Sequence, residues 1–139
     1  MEAAAEAVSS HSRRPHLIAV TVLTSMEQSD LAEVGIEHPV EEMVTRLARL
    51  SADCGLDGVV SSAREVSRLN LVFPGGVFVT PGIRPAGSAA GDQRRIVTPA
   101  DAVRDGATHL VVGRPVTQAA EPVEVLRQIN EEIRTAEGA

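Results

Sequence analysis

Two glycine-containing, arginine-bearing stretches carry the chemistry most open to this sequence. One is Gly113-Arg114-Pro115. The other starts at Pro81-Gly82-Ile83-Arg84 and runs to Arg94-Arg95. A glycine lets an anion approach a backbone amide, and a guanidinium presents a fork of donors matched to phosphate oxygens. Together they could capture a phosphorylated small molecule. The plainer reading of each is a glycine turn beside a solvated surface arginine. Other reactive types are less promising. His11, His16, His38 and His109 lack metal-ligand spacing, so no metal is expected. Cys54, the one cysteine, lies on an apolar helical segment and reads as a small core residue. Asp57 and Asp92 could act as bases, but the chain has no lysine to act beside them; all 13 basic residues are arginine. Glu41-Glu42 and Glu131-Glu132 read as solvated helix faces.

Composition narrows the partners. The chain has 139 residues, 43% of them hydrophobic, which is enough for one domain with a real core. Thirteen basic against 19 acidic residues give a net charge of −6, and there is no Trp or Tyr and only two Phe. A nucleic-acid binder needs concentrated positive charge or a stacking platform, and neither is present, so nucleic acid is not an expected partner. No apolar run approaches the ~18 residues of a membrane span, and no basic-then-apolar leader opens the chain. With one cysteine there is no intrachain disulfide framework. A cytoplasmic protein with no membrane contact is expected.

The elements that must position the arginines are short apolar runs separated by helical stretches. Leu17–Leu23, Gly58–Val60, Val77–Val79 and Leu110–Val112 are rich in Val and suit strands of a parallel sheet. Helices are predicted over about Val40–Cys54, with Met43, Val44, Leu47, Leu50 and Ala52 on one side, over Ala63–Leu71, from Thr98 to about Gly106, and over about Pro122–Ala136. Thr98-Pro99-Ala100-Asp101 is a strong helix start, and Gly55 sits where a helix would close. Strand and helix alternate about four times, as in repeated βαβ units. A full eightfold barrel needs ~250 residues, so the pattern fits half of one, although a small open sheet fits it as well. We expect residues 1–13 to be a helical stub, 14–136 a partial-barrel domain, and 137–139 a tail.

Each expected strand ends in polar or glycine-rich residues: Thr24-Ser25, Ser61-Ser62, Pro81-Gly82-Ile83-Arg84 and Gly113-Arg114-Pro115. Ligands of parallel α/β folds sit at that rim, where loops and helix starts can face them without disturbing the core. The segment from Pro81 to Arg95 is long for a βα connection and is rich in Gly, Ser and Ala, as functional lids and disordered segments are.

Four blocks in order then resemble the bacterial orotidine 5′-phosphate decarboxylase family. They are Leu17-Ile18-Ala19-Val20-Thr21-Val22-Leu23-Thr24-Ser25-Met26, and Cys54-Gly55-Leu56-Asp57-Gly58-Val59-Val60-Ser61-Ser62-Ala63. The third is Val79-Thr80-Pro81-Gly82-Ile83-Arg84-Pro85 with Gly91-Asp92-Gln93-Arg94-Arg95 and Thr98-Pro99. The fourth is Val111-Val112-Gly113-Arg114-Pro115-Val116-Thr117. The resemblance covers roughly residues 16–134. It implies an α/β fold, the C-terminal half of a TIM (β/α)8 barrel, from an enzyme that converts orotidine 5′-phosphate to UMP and CO2 in pyrimidine biosynthesis. It implies no metal, no organic cofactor, and a homodimer with active sites completed across the interface. By position, Thr24 would hydrogen-bond the pyrimidine, Gln93 would join base to phosphate, Gly113 and Arg114 would hold the phosphate, and Arg84 would anchor the lid.

The departure from the family is equally specific. The family's catalytic Asp-x-Lys-x-x-Asp segment has no counterpart here, and there is no lysine to protonate the carbanion left by CO2 loss. Arginine is no substitute, because it stays protonated. The expectation is a partial decarboxylase chain with no catalytic residue of its own, inactive alone, that self-associates or recruits a separate N-terminal half. The alternatives are a non-catalytic phosphate-binding half-barrel and a sugar-phosphate epimerase; the latter usually carries metal-binding His and Asp at its strand ends.

Overall fold

Strand pairing follows chain order. The computed structural model describes residues 1–86 and 95–138. Four parallel strands, β1 (Ile18–Val20), β2 (Gly58–Val60), β3 (Val77–Thr80) and β4 (His109–Leu110), form one sheet in the order β1-β2-β3-β4. Val20 pairs with Val60, Val60 with Val79, and Val79 with His109. The intervening helices are α1 (Glu2–Ser9), α2 (Gln28–Glu33), α3 (Val40–Asp53), α4 (Ala63–Val72), α5 (Pro99–Arg104), α6 (Arg114–Thr117) and α7 (Pro122–Glu137).

One face of the sheet carries the core. Val59 and Phe78 are fully buried there, packed with Val44 and Ala48 of α3 and Val66 and Leu69 of α4. A second cluster joins Ala63, Ile83 and Ala102 to Val97, Leu110 and Val112. The alternate residues point the other way, and there Val20 is 56% exposed and Val111 48%. Side chains alternate across a strand, so a sheet of valines covered on one face leaves the other apolar and open.

Local chemistry sets the helix ends. Thr98 caps α5 by accepting from the Asp101 amide at 3.2 Å, with Pro99 in the first turn. At the far end Gly106 adopts φ +95°, which lets Gly106 and Ala107 donate to the Val103 and Ala102 carbonyls. The same closure ends α3: Gly55, at φ +77°, donates to Ala52 and Leu56 to Ser51. Both stops fall where the sequence places them.

Several expectations are corrected. Leu17–Leu23 yields a strand of only three residues, because the Val22 and Leu23 carbonyls bond a side chain instead of a neighbouring strand. The fourth strand is shifted to His109–Leu110, although the Val111 amide still donates to Thr80 at 2.9 Å. Leu50 is half exposed; Val44, Ala48 and Ser51 form the buried stripe of α3. On α7 the apolar spacing of Val125, Leu126, Ile129 and Ile133 predicts one face, but Leu126 is half exposed and the helix buries Ile129 and Ala136. Cys54 is the partly exposed C-cap of α3 and not a core residue. Helices α2 and α6, of six and four residues, have no counterpart in the sequence pattern. They are too short for hydrophobic periodicity to register, and α2 buries only Leu31.

At the amino ends of the strands, Asp57 fixes the entry into β1. Its carboxylate accepts from Arg14 Nη1 and from the Leu17 amide, each at 2.7 Å, while its own amide donates to the Leu17 carbonyl. The Arg14 hydrogen bond foremost, then that of the Leu17 amide, holds this carboxyl below the ordinary aspartate range. A depressed carboxyl stabilises the fold above its unfolded pKa, ~3.9, and stops doing so as pH falls through the folded value. Asp57→Asn should therefore lower stability at pH 7, by roughly 1–2 kcal/mol. The gap from the wild type should close below about pH 3.9 in urea melts run across pH. Gly58 has a different constraint: a Cβ there would lie 1.9 Å from the Val77 carbonyl oxygen. Gly58→Ala should cost roughly 2 kcal/mol or more in the same melts.

Candidate functional site

The carboxyl ends of all four strands open onto one cleft of about 270 Å³. Valines of the exposed face, Val20, Val60 and Val111, make its floor, and polar loop residues make its rim. The pairing ladder carries on just past the strands, through Thr21 to Val60 and Ser61 to Val79. The loops therefore leave from a fixed platform.

Four of the five candidate residues come together in this cleft. Thr24 follows β1 and is nearly buried, and Arg84 follows β3 and is 7% exposed. Arg84 donates through Nη1 to the Ile83 carbonyl at 2.8 Å, and its amide donates to Val97 at 2.9 Å. Ile83 and Val97 form a parallel bridge, which draws together the two ends of the segment between them. Gly113 is the N-cap of α6 and Arg114 its first residue, and both line the cleft opposite Thr24 and Ser25. The fifth candidate, Gln93, and the possible base Asp92 lie outside the described residues. Among the described residues no three His, Cys, Asp or Glu side chains gather in a way that could hold a metal ion.

A buried ion pair organises the rim, and sequence reasoning gave it no role. Arg95 pairs through Nη1 with Glu65, and the two side chains are 12% and 7% exposed. Arg95 Nη2 donates to the carbonyls of both Val22 and Leu23 at 2.9 Å. Glu65 also accepts from the Ser62 amide at 2.9 Å, while the Ser62 side chain accepts from the start of α4, forming a capping box. Ser62 Oγ in turn donates to the Arg95 carbonyl, and Arg64 Nη2 to that of Ile96, each at 3.3 Å. The loops after β1, β2 and β3 are thus joined around one guanidinium. Burial, and then the charge of Arg64, draw the Arg95 pKa below its usual value, but Glu65 keeps a counter-charge in contact. The signal in the sequence was Ser62-x-x-Glu65, a capping-box pattern at the start of the expected helix.

A parallel sheet backed by helices, with its polar cleft at the carboxyl ends of the strands, defines an α/β protein of the partial (β/α)-barrel kind. The family model described as orotidine 5′-phosphate decarboxylase / HUMPS family matches residues 1–129, and the chain belongs to that family. The orotidine 5′-phosphate decarboxylase of Chromobacterium violaceum is 59% identical over 135 residues, covering 96% of this chain and 54% of that protein. That of Neisseria meningitidis (strain MC58) is 58% identical over 132 residues, covering 94% and 54%. The chain spans about half the length of the curated relatives it matches. The crystal structure of orotidine 5′-phosphate decarboxylase from Lactobacillus acidophilus superposes with a TM-score of 0.73 at 34% identity, over 95% of this chain and 57% of that one. The Pyrococcus horikoshii enzyme, at 22% identity and TM-score 0.60, shares the fold.

The ion pair yields a prediction. Removing one partner of a buried pair leaves the other charge uncompensated, at a cost of roughly 3–5 kcal/mol. Glu65→Ala should lower the unfolding free energy by about 3 kcal/mol in a urea titration, well beyond the effect of Glu124→Ala in the exposed Arg127 pair.

Proposed function

We propose that this chain is the carboxyl-terminal half of an orotidine 5′-phosphate decarboxylase barrel, units five to eight. Its part is to grip the phosphate and pyrimidine of orotidine 5′-phosphate or UMP. The observation that carries this reading is the convergence of Thr24, Arg84, Gly113 and Arg114 on one cleft at the strand carboxyl ends. Gly113 offers its amide and Arg114 its guanidinium to the phosphate; Arg84 adds positive charge and steadies the segment that follows it. Thr24 meets the base, and Gln93 bridges base and phosphate. No cofactor or metal takes part, and the protein works in the cytoplasm.

In the reaction the bond from pyrimidine C6 to the carboxylate breaks, CO2 leaves, and a proton must reach the carbanion at C6. A lysine in an Asp-x-Lys-x-x-Asp segment supplies it in the family, and this chain has no lysine. Binding energy from the phosphate can still be used here to order the site, but the proton must come from another segment. The open apolar face at Val20 and Val111, together with the two edge strands β1 and β4, favours burial against further strands. We place residues 14–136 in that half-barrel, with 1–13 as a helical extension and 137–139 as a tail. The alternative reading is a phosphate-binding half-barrel with no catalytic duty.

Calorimetry tests the grip. UMP should bind this chain more tightly than uridine, and Arg114→Ala should remove most of the difference, roughly 10- to 100-fold for a charge-assisted contact of ~1.5–3 kcal/mol. Equal affinity for UMP and uridine would overturn the phosphate assignment. The 139-residue chain alone should not decarboxylate orotidine 5′-phosphate, and an added amino-terminal half bearing the lysine segment should restore turnover. Failure of that complementation, with UMP binding intact, would favour the non-catalytic reading. In light scattering over a dilution series the chain should associate, whereas a monodisperse monomer at high concentration would contradict the open face.

A further inference from the structure

We infer that Arg95 is a positioning residue for base recognition: it sets the orientation of Thr24 without touching the ligand. The inference rests on the proposed ligand assignment and adds a residue that assignment does not contain. Arg95 lies outside the cleft lining, behind the loop that carries Thr24. Its Nη2 holds two consecutive carbonyls, Val22 and Leu23, at 2.9 Å each. Along an extended strand, successive carbonyls point in opposite directions. Drawing two of them onto one nitrogen forces the backbone out of strand geometry immediately before Thr24. The bend therefore fixes the direction in which the Thr24 side chain leaves the chain. Thr24 is 5% exposed, so a changed direction cannot be absorbed by swinging into solvent.

The guanidinium is itself held from two sides. Glu65 takes Nη1, and Glu65 is set by the Ser62 amide in the α4 capping box. The Arg95 backbone is fixed by Ser62 Oγ on its carbonyl, and the next residue by Arg64. The β1 loop is thereby referenced to the start of α4, and so to the sheet. The phosphate group has other anchors: Gly113 and Arg114 follow β4, at the opposite edge of the sheet from the β1 loop that Arg95 holds. The two halves of a nucleotide are thus held by separable machinery. Loss of Arg95 should weaken recognition of the base and leave the phosphate grip in place. A residue that merely stabilised the fold would weaken both.

The test titrates UMP and ribose 5-phosphate into the 139-residue chain by calorimetry, with far-ultraviolet circular dichroism to establish folding. Wild type should prefer UMP. Arg95→Ala should reduce that preference about tenfold or more, while ribose 5-phosphate affinity changes less than threefold. Arg95→Lys can keep the charge facing Glu65 but cannot match the guanidinium's fixed fork, so it should lose part of the preference even if Arg95→Ala does not fold. A folded Arg95→Ala or Arg95→Lys variant with the wild-type preference would overturn the inference. So would a parallel loss of both ligands. A wild type with no preference for UMP over ribose 5-phosphate would instead defeat the proposed base assignment, and the inference would fall with it.

Discussion

The rim of this molecule depends on one buried charge and its counter-charge. A guanidinium that is 12% exposed is tolerable only with a partner in contact, and Glu65 meets that need while serving as the third residue of the α4 capping box. A second guanidinium nitrogen of Arg95, Nη2, then donates to the two carbonyls at the end of β1. Desolvation thus does more than place one side chain. It ends a strand early, starts a helix, and ties both to the backbone at Arg95 and Ile96. Replacing Glu65 would leave the charge without its partner and the three loops without a common reference.

Much of this architecture is legible in the residues. The apolar runs at 17–23, 58–60 and 77–79, rich in Val and Ile, locate three strands because a parallel sheet rewards β-branched side chains, although the first strand is shorter than its run. Thr98-Pro99 and the glycines at 55 and 106 mark helix ends because each meets a stereochemical need that few other residues meet. Four candidate ligand residues are legible for a related reason: they follow strands, and the topology brings strand ends together. What stays hidden is long-range pairing. Nothing local to Arg95 says that its partners are Val22, Leu23 and Glu65, up to 73 positions away. A polar side chain chooses its acceptors in three dimensions. The exposure of Leu50 and Leu126 is hidden for a similar reason, since apolar type restricts a side chain to no particular neighbour.

The sheet itself has two characters. Toward the helices it is sealed, with Val59 and Phe78 fully buried; on the other face Val20 and Val111 remain half open. The same open face supplies the floor of the cleft, so the apolar surface that would receive a flat base is also the surface that other strands would cover. Ligand affinity and assembly are therefore coupled in the proposed reading, because whatever closes the face also dries the cleft and strengthens every polar contact inside it.

Asp57, with Arg14 and the Leu17 amide, lies at the amino ends of the strands, a full strand length from Thr24 and Arg114. This separation bears on how the sequence can change over generations. Substitutions that alter ligand choice fall at one end of the sheet, and those that raise or lower fold stability can fall at the other. A destabilising change of specificity in the cleft can then be compensated at the Asp57 end without a second disturbance to the groups that meet the ligand. The two ends can drift on separate schedules, which gives such a sheet room to explore new ligands.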